Sequence, residues 1–400
     1  MKYDSPEELM YWCAINKIFG FAPKSAFALI KHFGGADKIF SIDRKELAAA
    51  IGADSGYLEQ ITMKSAEDAY SELCRLEKDG IRFICIDDER YPTLLKECFD
   101  PPAGLYVKSD SSLEEVFGHK IPLAMVGTRD LTAYGKEWCI RIVNSLASTE
   151  ANPVIISGLA IGTDITAHIA ALDSGLPTIA VLPTGPDDIY PFRHGWHAER
   201  ISHSPGSALI TDYPPGTVPK AINFLRRNRI IAGMSLATVL IESKIKGGGM
   251  MTCRLASSYG RDIYALPGRI DDICSAGCNE LIRSKIAEAL TSVGALAADL
   301  GLDAGGKHRK ISIRRKVQLY FRDSEEENIA IKLSEIADII AHNREIRPED
   351  IASLTNQEFK EVSRYVSILE CERIVTTDLL RQCSINPMFL LEDGKQKNIK

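Results

Sequence analysis

Between residues 106 and 295 the chain alternates short, unbroken apolar runs with longer segments of helical period. LAMVGT, PVIISG, TIAVLP, ALITDY, ATVLIES and DIYALPG have strand length but lack the every-other-residue alternation of a half-exposed strand. Strands covered on both faces look like this, because each side chain then meets apolar neighbours, so the pattern predicts a parallel sheet between helical layers. AYGKEWCIRIVNSLAS, DITAHIAALDSG and MTCRLASSYG supply the helices. The repeated strand–helix alternation predicts an α/β fold, an extended Rossmann-like, doubly wound and mostly parallel sheet.

The flanks differ. Residues 1–105 are helical by pattern, with Gly34 and Gly35 as a turn between two apolar-periodic segments, as in a small helix-hairpin-helix or SAM-like domain. IRFICID then reads as a short strand, and Pro92, Pro101 and Pro102 mark a connector. After the Gly-rich joint GLDAGG, residues 306–390 read as helices (LSEIADIIAH, NQEFKEVSRYVSILE) followed by a strand (CERIVTT), which predicts a winged-helix-like domain. This tail opens on a basic run, Lys307, Arg309, Lys310, Arg314, Arg315, Lys316 and Arg322, followed by Asp323, Glu325, Glu326 and Glu327.

Composition adds bounds. A chain of 400 residues has room for two to three domains at about 150 residues each, consistent with a division at 1–105, 106–295 and 306–390. A 45% apolar and 26% charged content is that of a globular chain, not a disordered or fibrous one. No apolar stretch approaches the ~20 residues that span a bilayer, and the acidic start MKYDSPEELMYW is no secretory leader. A cytoplasmic protein without membrane contact is expected, its ten scattered cysteines reduced. The net charge of −6 excludes a polybasic chain, but nucleic-acid binding depends on where charge sits.

In an open parallel sheet, ligands bind beyond the carboxyl ends of the strands. Four such ends carry glycine: Gly127-Thr128-Arg129, Ser157-Gly158 continuing to Gly162, Pro183-Thr184-Gly185, and Lys244 to Gly249. Glycine there lets backbone N–H groups approach a ligand, and each turn feeds a helix N-terminus, so together they suit phosphate or another anion. For any single turn, glycine simply making the tight bend is an equally good reading; four such turns on one sheet edge favour the ligand. The stretch Arg226-Arg227-Asn228-Arg229 spreads three guanidinium groups over more than one helix face; it is either a phosphate-binding rim, joined by Arg129, Lys244 and Lys246, or a salt-bridged surface helix.

Signs of catalysis are weak. The dinucleotide fingerprint G-x-G-x-x-G and the Walker A motif are missing at the expected turns, and no G-x-S-x-G elbow presents a nucleophile. Asp164 and His168 fall on one helix near Ser157, which is poor geometry for a triad. Asp187 and Asp188 read as a turn or cap, and Cys274 and Cys278 lack partners at zinc spacing. No catalytic residue, metal or cofactor is expected.

VGTRDLTAYG, SGLAIGTDITAHIAAL, AVLPTGPDDIYP, TDYPPGTVPKAINFLRRNRIIAGMS, GGGMMTCRLA and GRDIYALPG followed by SAGCNELI occur in this order. Together they resemble the DNA-processing protein A (DprA/Smf) family over about residues 80–290. The resemblance implies a cytoplasmic bacterial protein that binds single-stranded DNA, dimerises through its Rossmann-like domain, protects incoming DNA and loads the RecA recombinase in natural transformation. It places Arg129, Arg227, Asn228 and Arg229 at the border of a DNA pocket and Gly247, Gly248 and Gly249 in the family's G-S-L-[IV]-T-A loop. Gly127, Thr128, Ser157, Gly158, Arg226 and Lys246 complete the expected DNA-binding set. The sequence departs from the family pattern at Gly249, where Ser is usual, at Met250, Met251 and Cys253, where Leu, Ile and Ala are usual, and at Leu225, where Pro precedes R-N-R.

Two other readings compete. A nucleotide-binding or phosphoribohydrolase-like enzyme could use the same fold, but the P-G-G-x-G-T-x-x-E motif of such enzymes is replaced here by KGGGMMTCRLA. A DNA-reading regulator could rest on the tail, but its candidate recognition helix offers only Lys360 and Arg364 as cations among several acids, which favours protein contact for that segment.

Overall fold

The computed structural model describes residues 3–118, 121–149, 151–302, 313–321, 327–343, 346–378, 381–386 and 389. The chain forms two compact units, Met1–Gly306 and Lys307–Lys400.

The first unit is built on one sheet of nine strands. In chain order they are β1 (Ile81–Cys85), β2 (Gly104–Lys108), β3 (Pro122–Val126), β4 (Val154–Ser157), β5 (Thr178–Val181), β6 (Ala208–Thr211), β7 (Ala237–Leu240), β8 (Asp262–Ala265) and β9 (Glu288–Ala289). Across the sheet the order is β1-β2-β6-β5-β4-β3-β7-β8-β9. All neighbours from β6 to β9 are parallel, while β1 and β2 add an antiparallel margin. The six apolar runs are the parallel strands β3 to β8, as their pattern predicts. Position 105, the expected end of a helical front with its connector, lies inside β2, so GLYVK is a strand of the main sheet. Pro101 and Pro102 cannot sit inside a helix, but proline is compatible with the approach to a strand near a sheet margin.

The helices of this unit are α1 (Pro6–Phe19), α2 (Pro23–Phe33), α3 (Ala36–Ser41), α4 (Arg44–Ile51), α5 (Met63–Lys78), α6 (Thr93–Lys96), α7 (Leu113–Phe117), α8 (Ala133–Ala147), α9 (Thr163–Asp173), α10 (Gly195–His203), α11 (Ala221–Met234), α12 (Gly248–Ser258), α13 (Ala276–Arg283) and α14 (Val293–Asp299). Successive residues of a strand face opposite sides. Leu123 and Met125 of β3 therefore pack with Ile142, Val143 and Leu146 of α8 and Ala167 of α9, whereas Ala124 and Val126 pack with Ile230 and Ile231 of α11 and Cys253 of α12. Both faces are covered, which is why the strand sequences are continuously apolar.

The N-terminal helices share a core with the sheet margin. Leu9, Ile15, Phe19, Ala69 and Leu73 pack with Phe83 and Tyr106. α1 starts where its sequence dictates: Ser5 and Glu8 form a reciprocal capping box and Pro6 takes the first turn. Asn16 then keys the helix to the sheet, donating from Nδ2 to the Asp212 carbonyl at 2.9 Å and accepting the Gly104 N–H at Oδ1 at 3.3 Å. The expected Gly34-Gly35 turn joins α2 to α3, with Gly34 at φ +81°.

The second unit has helices α15 (Ile313–Tyr320), α16 (Glu327–His342), α17 (Pro348–Thr355) and α18 (Phe359–Cys371), and an antiparallel pair, β10 (Val375–Thr377) with β11 (Cys383–Ile385). Val317, Leu333, Ile336, Ile351, Val362 and Leu369 form its core. Lys307, Arg309, Lys310 and Arg322 of the basic run lie outside the described residues. Within it, Arg314 pairs with Glu335 at 2.9 Å.

Among the described residues, no helix is long and apolar enough to cross a membrane. Nor do three or more His, Cys, Asp or Glu side chains gather there as a metal site. The cysteines are free.

Candidate nucleic-acid interface

The strand order reverses between β3 and β7, and a doubly wound sheet opens a crevice at such a switch point. A cleft of about 760 Å³ lies there, lined by the β3–α8 turn, the β4–α9 loop, one side of α11 and the β7–α12 turn. Of the expected residues, Gly127, Thr128, Arg129, Arg227, Asn228, Lys246, Gly247, Gly248 and Gly249 line it.

The turn bearing Arg129 is held from two sides. The Thr128 carbonyl accepts the backbone N–H of Thr163 at 3.1 Å and its hydroxyl at 3.2 Å. Gly162 makes this approach: it sits at φ +86°, and a Cβ there would lie 2.3 Å from the Thr128 carbonyl oxygen. On the far side, Glu242, fully buried after β7, accepts the Thr132 N–H at 2.9 Å and the Thr132 hydroxyl at 2.6 Å, placing a carboxylate at the N-terminus of α8. Arg129 itself is exposed, its guanidinium 5.0 Å from the centre of the Phe224 ring.

The opposite wall is one face of α11. Phe224, Arg227, Asn228 and Ile231 all line the cleft, and their spacing of three, four and seven residues puts them on a single stripe. Arg227 is 2% exposed and donates from Nη1 to the Val181 carbonyl at 2.7 Å. Gly158 has no room for a side chain, since a Cβ would lie 1.5 Å from that nitrogen. Burial lowers the Arg227 guanidinium to about 10, partly offset by Asp164, whose own carboxyl is raised by burial and held down by Arg227. The Arg227 Nε has no partner.

Four expected residues sit elsewhere. Ser157 is buried, its hydroxyl donating to the Met125 carbonyl at 2.6 Å, and Gly158 lies beneath Arg227 without lining the cleft. Arg226 and Arg229 occupy another face of α11, over Phe21 at 4.2 Å and 5.7 Å. Arg229 is buried and bound to Asp212 at 2.5 Å. Its guanidinium therefore ties α11 to the end of β6 and to the loop at Asp100.

The remaining wall combines positive ends with aromatic surface. α11 and α12 begin beside the cleft with no side-chain cap, so their positive ends lie near it without a side-chain acceptor. At α9 the Asp164 carboxylate takes up the Ala160 N–H at 3.4 Å. Gly249 approaches Gly127 closely: a Cβ would meet Gly127 Cα at 3.1 Å and Leu240 Cδ1 at 2.7 Å. Lys246 lies on the rim, and Lys244 stands 3.6 Å from Asp130. Tyr190 packs edge-on to Phe224 at 5.5 Å between centroids. The row Arg129, Phe224, Tyr190 supplies a cation and two π surfaces.

Residues 82–301 match the model of the DNA recombination-mediator protein A family. The chain belongs to that family. The chain is also similar to Protein Smf of Synechocystis, 32% identical over 78% of each chain, and to Protein Smf of Escherichia coli, 38% identical over 53% of this chain and 55% of that one. The solved structure of DNA processing protein A from Streptococcus pneumoniae aligns with a TM-score of 0.59 at 28% identity, over 75% of this chain and 99% of that one. The resemblance and the Rossmann-like fold expected from the sequence are both found.

Sequence reasoning missed Phe224, Tyr190, Asp164 and Glu242 as parts of the site. Phe224 was accessible from sequence, lying three residues before Arg227 on the same helix face. Glu242 carried a signal too, as an acid closing the apolar run ATVLI. Tyr190 reaches the cleft only through the folded β5–α10 loop and carries no local sign.

Proposed function

We propose that the protein binds single-stranded DNA in the cleft between β3 and β7 and acts without turnover as a recombination mediator. In this reading it protects incoming strands and delivers them to a RecA-type recombinase during natural transformation, working as a cytoplasmic homodimer. The observation that carries the reading is the composition of the cleft: two uncapped helix N-termini and exposed cations beside two aromatic rings. Phosphates suit the first set, and the faces of unpaired bases suit the second. A duplex hides its base faces, so the rings gain nothing from it.

The supporting geometry bears on residues 106–295, which the proposal treats as the DNA-holding domain, with 1–105 and a winged-helix-like 306–390 as accessory domains. Arg129, Lys246 and the N–H groups of Gly248 and Gly249 are assigned to phosphates, Phe224 and Tyr190 to bases. Arg227 and Asn228 form the floor. Asp130 and Asp164 are the acids of the lining; Lys244 stands 3.6 Å from the first, and Arg227 with the Ala160 N–H attends the second.

The test is binding of labelled single-stranded and duplex oligonucleotides across a salt series, with and without nucleotide. Single strands should bind more tightly, with little sequence preference. About three phosphate contacts would give a log–log salt slope near −2, at about −0.7 per contact. Equal or tighter duplex binding overturns the proposal.

A further inference from the structure

Beyond the cleft, on the same edge of the sheet, two large aromatic side chains stand in solvent. Phe192 is 92% exposed and Trp196 is 63% exposed. Burying such rings is worth more than leaving them in water, and adjacent exposed aromatics mark contact surfaces. We propose that Phe192 and Trp196 form a second stacking station for the single strand as it leaves the cleft past Tyr190. This rests on the reading of the cleft as a single-strand site.

The backbone places this station. Tyr190 lines the cleft, and Phe192 follows two residues later in a short turn leading into α10. His194 anchors that turn through Nδ1 to the Leu159 carbonyl at 2.8 Å, and the next residues, Ala160 and Ile161, line the cleft again. The aromatic turn is thus fixed against the cleft wall and continuous with it. Tyr190 (which touches Phe224), Phe192 and Trp196 thus put three π surfaces within seven residues of chain.

The charge nearby suits a polyanion. Arg193 is exposed beside Phe192. The Arg200 guanidinium lies 4.9 Å from the Trp196 ring centre and 3.0 Å from Asp173. His197 packs edge-on to Trp196 at 4.9 Å between centroids. Glu199 is the one acid between Phe192 and His203. A cation stacked on a ring's face is a common partner for nucleic-acid bases and phosphates together. A protein partner or a second copy of the chain is the competing occupant, and it would make no use of strand length.

The test compares the full-length parent, the double variant Phe192→Ala/Trp196→Ala and Arg129→Glu, using oligothymidylates of about 6 and about 20 nucleotides, lengths bracketing the span of a single binding groove. In the double variant the short strand should bind as in the parent and the long strand at least about tenfold more weakly, since each base–ring stack contributes about five- to a hundredfold. The fluorescence of Trp196, isolated by comparison with Trp196→Phe, should be quenched by the long strand and not by the short one. Equal affinity of parent and double variant for the long strand, or no quenching of Trp196, overturns the station and leaves the cleft intact. If Arg129→Glu binds both lengths like the parent, the cleft reading itself fails. Loss of self-association in the double variant with unchanged DNA binding assigns the surface to a second copy and also overturns the station.

Discussion

Arg229→Met separates a structural arginine from a DNA-contacting one. Arg229 and Asp212 meet at 2.5 Å, both less than a tenth exposed, and the second oxygen of Asp212 has no partner. Burial already raises the Asp212 carboxyl and Arg229 opposes that rise, so removing the guanidinium leaves a nearly unsolvated carboxylate. Breaking a buried pair from one side costs about 3–5 kcal/mol. At about 2–4 °C per kcal/mol for a unit of this size, the melting temperature should fall by about 6–20 °C. Asp212 then has a folded-state pKa above its unfolded one. The deficit of the variant should shrink as pH falls through that raised value, because the protonated carboxyl tolerates burial. Asp212→Leu added to Arg229→Met should recover most of the loss. The assay is thermal unfolding followed by circular dichroism, with single-strand affinity measured well below the transition. A melting temperature within about 2 °C of the parent together with a contact-like loss of affinity would refute this reasoning.

Three further outcomes are expected. Arg129→Ala should fold normally, bind single strands about ten- to a hundredfold more weakly, as loss of a charge-assisted hydrogen bond implies, and lower the salt slope by about 0.7; Arg129→Glu should bind more weakly still, with Arg44→Ala as an unaffected control, and an unchanged slope in Arg129→Glu would count against the contact. His168, fully buried with Nδ1 2.7 Å from the Thr178 hydroxyl and lowered to about 3, stays neutral when folded but takes a proton when unfolded below about pH 6.5; acidification from there toward pH 3 should cost up to about 1.4 kcal/mol per pH unit, and His168→Gln should flatten that part of a denaturant-derived stability–pH curve. A chain ending at residue 306 should keep single-strand affinity in an anisotropy titration, because every cleft residue lies in the first unit; loss of binding by a folded truncation would move the DNA site to the basic run.

The legible and illegible parts of this molecule divide by what periodicity can carry. Strands β3 to β8 are buried on both faces, so their apolar runs stand out against helical segments, and the glycine turns at their ends mark the edge where the cleft lies. β2 was hidden because Pro101 and Pro102 suggest a connector, while its place in the sheet is set by pairing with β1 and β6, residues far away in the chain. Within α11 the cations were visible but their division was not. Arg226 and Arg229 turn toward Phe21 only because α1 and its following loop pack there, and Asp212 claims Arg229 from the end of β6. Ser157 followed the same logic: a hydroxyl at a strand end looked available, but it is spent on the Met125 carbonyl. Contacts between distant segments decide such cases, and no local pattern reports them.

The most direct measurement is photocrosslinking of a single strand carrying 5-iododeoxyuridine, with the adducts located by mass spectrometry. Stacked aromatics are the favoured acceptors, so adducts are expected at Tyr190 or Phe224, abolished by an unlabelled competitor strand and reduced in Arg129→Glu. Adducts confined to Lys307–Lys400, with none on the sheet edge between β3 and β7, would contradict the assignment of the cleft as the single-strand site.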